Sequence, residues 1–283
     1  DWMFTRADVL LLLEKERSFP LHAVDFSWDG FEPTLTCRDV NTGEVSGFDL
    51  EDVSFLVSKR RTCIGRFDAD RYVPCPSEVE EPGLAQCPSC ASESLIPFQE
   101  CLFEPRCEGE LCDSPLCRRE HVLYLAFYDT DVKIGMSSSR RVDRRLVEQG
   151  ADAYSIVGAY PNRRRARLEE KRISEKLRIP QSYRQERLVQ SLARRVDADG
   201  IEARHAGLAG SLSQVYGLQA GKIVWLDRYP IDLPLAAPPR LHDTPGRHKG
   251  AFVGIKGKWL IYDDKGLRAL SLQDLPSRYL SRL

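Results

Sequence analysis

Apolar and polar positions change period several times along the chain, and each change marks a predicted element. HVLYLAFY (121–128) is an unbroken apolar and aromatic run, which predicts a buried strand. After the turn Asp129-Thr130-Asp131, VKIGMS (132–137) predicts a second strand. SRRVDRRLVEQG (139–150) switches to helical spacing, with Val142, Leu146 and Val147 on one face and arginines on the other. Gly150 stands where a helix C-cap belongs. AYSIVGAY (153–160) predicts a third strand, and RRRARLEEKRISEKL (163–177) a helix holding Ala166, Leu168, Ile173 and Leu177. The predicted order is strand, strand, helix, strand, helix.

The flanks read differently. From Leu21 the pattern alternates, with strands over 23–28, 33–40 and 44–50. The last two are joined by Asn41-Thr42-Gly43, so a hairpin is expected. Before them, DVLLLLEKER (8–17) fits a short helix or an edge strand. Beyond the central segment, 182–196 and a stretch around 204–216 predict helices, and 221–229 predicts a strand. A Pro-rich connection follows over 232–246. Two or three short strands with a turn at Asp263 to Gly266 fill 251–270, where Gly254 and Gly257 suggest a strongly curved sheet. The expected class is α+β, in five regions: a β-rich 1–62, a cysteine-rich 63–120, a core over 121–180, a helical extension over 181–220 and a β-rich 221–283.

Hydrophobic content of 42% is that of a soluble globular chain. No apolar run approaches the roughly 18–20 residues that span a bilayer. No secretory signal pattern accompanies residues 9–14, so a cytoplasmic protein is expected. The net charge of −1 conceals a separation. Between Asp131 and Arg195, 17 Lys and Arg stand against 8 Asp and Glu; between Cys63 and Cys117, 3 Arg stand against 11 acids. The basic stretch suits a polyanion and the acidic one repels it. Two oppositely charged surfaces that dock on each other would account for the same pattern.

Eight of the nine cysteines fall within this acidic stretch: Cys63, Cys75, Cys87, Cys90, Cys101, Cys107, Cys112 and Cys117. Cys87-Pro88-Ser89-Cys90 is a knuckle whose spacing lets two thiolates grip one tetrahedral zinc. The segment lacks the apolar runs to bury a core and needs a staple. Eight thiolates would fill two structural zinc sites, about two ions per chain. An iron–sulfur cluster, or one zinc with free thiols, is the alternative. Pairing is not readable; His121 could replace one cysteine, or simply begin the first core strand. Cys37, alone in a strand, reads as packed core.

The strand and helix order over 121–178, with its residues, resembles the GIY-YIG nuclease domain. Leu123-Tyr124-Leu125 stands for the first signature tripeptide and Lys133-Ile134-Gly135 for the second. Arg144 or Arg145 falls where the helix arginine is expected, and Glu169 where the metal-binding glutamate is expected. Lys133 replaces the second tyrosine, and no asparagine follows the glutamate helix. With the strand-rich start, the cysteine cluster and the glycine-containing tail, the whole also looks like a little-characterised prokaryotic group of GIY-YIG-related proteins.

That resemblance implies roles. Tyr124 would activate or orient a water, Glu169 would hold magnesium or manganese on the scissile phosphate, and Arg144 or Arg145 would neutralise developing charge. Lys133 would meet a phosphate as a point charge. Arg140, Arg141, Arg163, Arg164 and Arg165 are candidate nucleic-acid contacts, with Arg184, Arg187, Arg194 and Arg195 as an extension of the same track. In the tail, Lys256, Lys258 and Trp259 are candidates too, against a packed-core reading of the tryptophan. The expected function is metal-dependent cleavage of a nucleic-acid phosphodiester. A non-catalytic module that binds nucleic acid or protein, and an enzyme of a small charged metabolite on the same scaffold, are the alternatives. For Tyr124 the plain reading is a packed aromatic, and for Glu169 a surface acid paired with Arg172 or Arg165.

Overall fold

The computed structural model describes residues 19–68, 71–82, 85–91 and 115–283. The segment 8–17 and the cysteines Cys101, Cys107 and Cys112 lie outside the described residues. The fold is mixed α+β with mostly antiparallel sheets.

The chain opens with β1 (Leu21–Asp29), β2 (Glu32–Asp39), β3 (Val45–Phe48) and β4 (Ser54–Arg61). The expected hairpin joins β2 and β3. Asp39 Oδ1 accepts from the amides of Asn41 (2.8 Å) and Thr42 (2.9 Å), and Gly43 supplies the positive φ of 76°. A short hairpin of β5 (Arg66–Asp68) and β6 (Arg71–Val73) leads into the cysteines.

The centre follows: α1 (Pro115–Arg118), β7 (His121–Tyr128), β8 (Asp131–Ser138), α2 (Val142–Gln149), β9 (Ala153–Tyr160) and α3 (Arg163–Leu177). Gly150 ends α2 in the left-handed conformation at φ 74°. Asn162 caps α3 by accepting from the Arg165 amide. β7 lies between β8 and β9, antiparallel to both. Every residue of β7 is buried because both faces of this sheet are covered. Leu123, Leu125 and Phe127 join one core with Ile173, Ile201 and Leu212; Tyr124, Ala126 and Tyr128 join the other with Leu146, Val147 and Leu188.

Two helices come next, α4 (Gln185–Ser191) and α5 (Ala198–Tyr216), the first shorter than the 182–196 pattern suggests. The second begins at Ala198 because the Asp197 carboxylate accepts from Gly200 N, a cap that extends it upstream of residue 204. Only β10 (Val224–Trp225) forms within 221–229, paired to β9. Then come β11 (Arg240–His242), β12 (Gly246–Lys249), β13 (Ala251–Lys256), β14 (Trp259–Asp263), β15 (Leu267–Ser271) and β16 (Arg278–Arg282).

The two ends of the chain form one sheet. Its order is β12-β4-β16-β1-β2-β3, with Leu280 of β16 opposite both Leu21 and Val57. β11, β15, β14 and β13 make a separate four-stranded sheet whose β11–β15 pair is parallel. This sheet docks on both the six-stranded sheet and the central unit through close contacts. Trp28 Nε1 donates to Gly257 O at 2.9 Å, and a Cβ on Gly257 would stand 2.7 Å from the Gly150 amide nitrogen. Lys256 is therefore not a surface contact for a polyanion: it is buried and ion-paired to Asp152. Trp259 is core as well, with Nε1 donating to Gln185 Oε1.

Candidate functional site

In the β7–β8 hairpin Tyr124 stands opposite Gly135, and Ala126 opposite Lys133. Side chains two apart on a strand share a face, so Tyr124, Tyr128 and Lys133 point to the same side as the missing side chain of Gly135. The Tyr124 ring occupies the space over Gly135: a Cβ there would lie 2.6 Å from its Oη. The second-strand glycine is thus a packing requirement of the first-strand tyrosine. Burial pushes the Tyr124 phenol up to about 12, and neighbouring Arg145 acts in the opposite direction.

Above this face α2 contributes a row of cations. Lys133, Arg141, Arg144, Arg145 and Lys258 line one cleft of about 560 Å³. Of its carboxylates, Glu148 is shared by three arginines, at 3.1 Å from Arg144, 3.4 Å from Arg141 and 3.8 Å from Arg145. Asp25 is the other. Lys133 is 7% exposed and makes no direct hydrogen bond or ion pair among the described residues. Burial, then repulsion from Arg145, lowers its ammonium to about 8, while Glu170 pulls the other way.

The structure separates the two glutamates of α3. Glu169, its side chain 21% exposed, pairs with Arg172 at 3.2 Å and lies near Tyr160, whereas the glutamate beside Tyr124 and Lys133 is the next one. Glu170 shares the buried face with Ala166 and Ile173. It receives a 2.6 Å hydrogen bond from Arg167 Nη1, which also donates to Gln181 Oε1 at 2.7 Å. Burial raises the Glu170 carboxyl, and Arg167, Lys133 and Arg163 oppose that rise. The sequence resemblance places the glutamate at Glu169, whereas the spacing of Ala166, Glu170 and Ile173 puts Glu170 on the buried face.

Arg140, Arg141 and Arg165 are exposed, as a phosphate track requires. Arg163 is buried beside Glu170 and His121 and is unavailable to a backbone phosphate, a correction to its reading as a surface contact. Arg164 is half-buried with an unsatisfied Nε.

The second site is the cysteine cluster. The Sγ atoms of Cys63, Cys75, Cys87 and Cys90 all lie within 4.8 Å of one another, and all four residues are buried. Cys63 Sγ accepts from the amides of Cys87 (3.2 Å) and Gly65 (3.4 Å), donors that favour a thiolate against the burial that pushes the thiol up. Gly65 is needed there: its φ is +75°, and a Cβ would meet Val73 O at 2.3 Å. Among the described residues Val79 is the one partly buried apolar side chain packed on the cluster, so little of its cohesion there is apolar. Four sulfur donors with no histidine or carboxylate fit a closed, tetrahedral metal site such as zinc. Cys117 is buried in α1, outside this group. The second set of four expected from the count has three members beyond the described residues.

With both sites in view, a match to one family's sequence pattern covers residues 52–275, most of the chain. The chain belongs to that family, described as Protein of unknown function (DUF2797). The DUF2797 span begins before Cys63 and ends after Lys258, so it contains the four-cysteine group and all the cleft cations together. No curated protein matches the chain, and no solved structure matches it. Among the described residues, no helix is long and apolar enough to cross a membrane.

Proposed function

We propose that this protein binds nucleic acid by seating a backbone phosphate in the cleft between β8 and α2, on a GIY-YIG-like core. The observation that carries the reading is Lys133, a largely buried ammonium with no direct hydrogen-bond or ion-pair partner among the described residues, facing a cavity it shares with Arg141, Arg144, Arg145 and Lys258. An unpaired buried charge is costly, and a bound phosphate would offset that cost. The GIY-YIG-like element rests on the strand order with β7 central and on Tyr124 packed over Gly135. The cysteine group would brace the module, with zinc bound through Cys63, Cys75, Cys87 and Cys90.

Magnesium or manganese does not fit the cleft as the donors stand. Hard divalent ions need free carboxylate oxygens. Of the two carboxylates that line the cleft, Glu148 is shared by three arginines and Asp25 is a single donor among five cations, while Glu169 pairs with Arg172 and Glu170 with Arg167. Binding is therefore favoured over metal-dependent hydrolysis. Cleavage remains the second reading on one observation: Tyr124 lies within the electrostatic reach of both Arg145 and Glu170.

The two readings part in a cleavage assay with end-labelled DNA and RNA, with magnesium, manganese or a chelator. The binding reading predicts retained, uncut substrate under all three conditions. Metal-dependent products, lost in Glu170→Gln and slowed about 10²-fold or more in Tyr124→Phe, would establish the hydrolase instead. Comparison with Glu169→Ala separates the two acids, and only a catalytic role for Glu169 would make that variant inactive.

A further inference from the structure

The basic cleft has a neighbour of different character. A second cavity of about 410 Å³ is lined by Asp129, Asp131, Glu186, Arg187 and Arg194. Both cavities share a wall, formed by Tyr128 and Tyr183. The two rings are stacked at 4.2 Å between centroids and 9° between planes. Tyr128 is buried and tied to Gln149 by its hydroxyl, which fixes the inner ring. Tyr183 is partly exposed, and its hydroxyl donates to Asp131 Oδ2 at 3.3 Å.

Each part of this arrangement selects a different part of a nucleotide. The cleft with Lys133 attracts a phosphate. The second cavity brings three carboxylates against two arginines, one of which, Arg187, is 3.9 Å from Asp131. Phosphate gains little there, whereas carboxylates accept from the exocyclic amines of a base and arginines donate to its carbonyls. Between them stands an aromatic ring held in place by a second ring, a platform on which a base stacks. Paired bases in a duplex keep their faces within the stack and cannot reach such a platform.

We infer that the protein selects single-stranded nucleic acid, with an unpaired base stacked on Tyr183 in the second cavity while the adjoining phosphate occupies the Lys133 cleft. This inference rests on the phosphate-binding reading of that cleft and adds the substrate class.

The test is fluorescence anisotropy of the full-length chain with labelled single strands of DNA and of RNA, and with duplexes of the same length. The wild type is expected to bind single strands at least about tenfold more tightly than duplex, since one stacked base contributes roughly 1–3 kcal/mol. Tyr183→Ala should lose roughly ten- to hundredfold on single strands with little change on duplex, while Tyr183→Phe keeps the preference. Tyr183→Leu, which keeps apolar volume against Tyr128 without an aromatic face, guards against a folding artefact and should behave like the alanine variant. Equal binding of single strand and duplex by the wild type, or an undiminished preference in both Tyr183→Ala and Tyr183→Leu, overturns the inference and leaves the phosphate cleft standing. Failure to bind any of these probes removes the cleft reading and the inference together. A preference for RNA over DNA single strands, or the reverse, supports it and identifies the sugar.

Discussion

Wild-type protein should be purified with zinc, and Cys87→Ser without it and with the 63–91 segment unfolded. The four sulfurs lie in mutual reach, and Cys87 does two jobs among them: its thiol is 3.9 Å from that of Cys75, and its amide donates to Cys63. A serine hydroxyl is a poor zinc ligand, and the surrounding chain has almost no apolar packing to hold it otherwise. Structural zinc in small domains supplies on the order of 10–16 kcal/mol of apparent binding energy, most of it available as folding energy. Elemental analysis of the wild type should give at least one zinc per chain from these four ligands. Hydrogen exchange should show loss of protection over the segment in the variant. Cys37→Ser, which alters a buried cysteine of β2 outside the group, should keep its zinc. Wild-type protein without zinc, or with the chromophore of an iron–sulfur cluster, would contradict the assignment.

Asp152→Ala should lower stability to unfolding by about 3–5 kcal/mol, because it leaves Lys256 buried without its counter-charge. Both side chains are almost wholly buried, 4% exposed for the lysine and 8% for the aspartate. The Lys256 ammonium also lies 5.2 Å from the centre of the Tyr229 ring. The other Asp152 oxygen accepts from the Asp129 amide at 2.6 Å, so alanine also orphans a backbone donor. Replacing both partners separates these contributions. Asp152→Asn combined with Lys256→Met keeps an acceptor for Asp129 and removes both charges, and it should recover most of the stability. Urea unfolding measures all three proteins. A cost below about 1 kcal/mol for Asp152→Ala would mean that this pair does not join the C-terminal sheet to the central unit.

Those two sites differ in how far the sequence announced them. Local periodicity gave β7, β8, α2, β9 and α3 nearly at their observed bounds, since each carries its own apolar stripe and Gly150 and Asn162 mark two of the ends. The knuckle at Cys87 and Cys90 declared a metal site in the same way. What local pattern does not carry is pairing over long separations. Lys256 looks exposed among Gly254, Gly257 and Lys258 until Asp152, 104 residues earlier, is brought beneath it. Local pattern marks no individual strand beyond residue 270, yet β16 lies between β4 and β1 and closes the sheet they share. The candidate cleft sits between these cases. Lys133, Arg144 and Arg145 were visible as a set because they belong to consecutive elements, whereas Tyr124, expected to line the cleft with them, is buried over Gly135 and does not line it. The sequence resemblance points to Glu169, and the structure turns the adjacent Glu170, about 100° of helix rotation away, to the buried face.

The most direct test of the phosphate-binding cleft is the salt dependence of single-strand binding, measured at pH 7 and pH 9 for wild type, Lys133→Met and Lys133→Arg. Removing one cation that neutralises a phosphate should flatten the slope of log K against log salt by about 0.7–1. The Lys133 ammonium titrates at about 8, so it is charged at pH 7 and largely neutral at pH 9. Affinity and slope of the wild type should therefore fall as pH rises through that value, approaching those of Lys133→Met, which should itself change little. Lys133→Arg, charged throughout, should hold the steeper slope at both pH values. Equal slopes for wild type and Lys133→Met at pH 7 would contradict the account, because the buried ammonium on which it rests would then touch no phosphate.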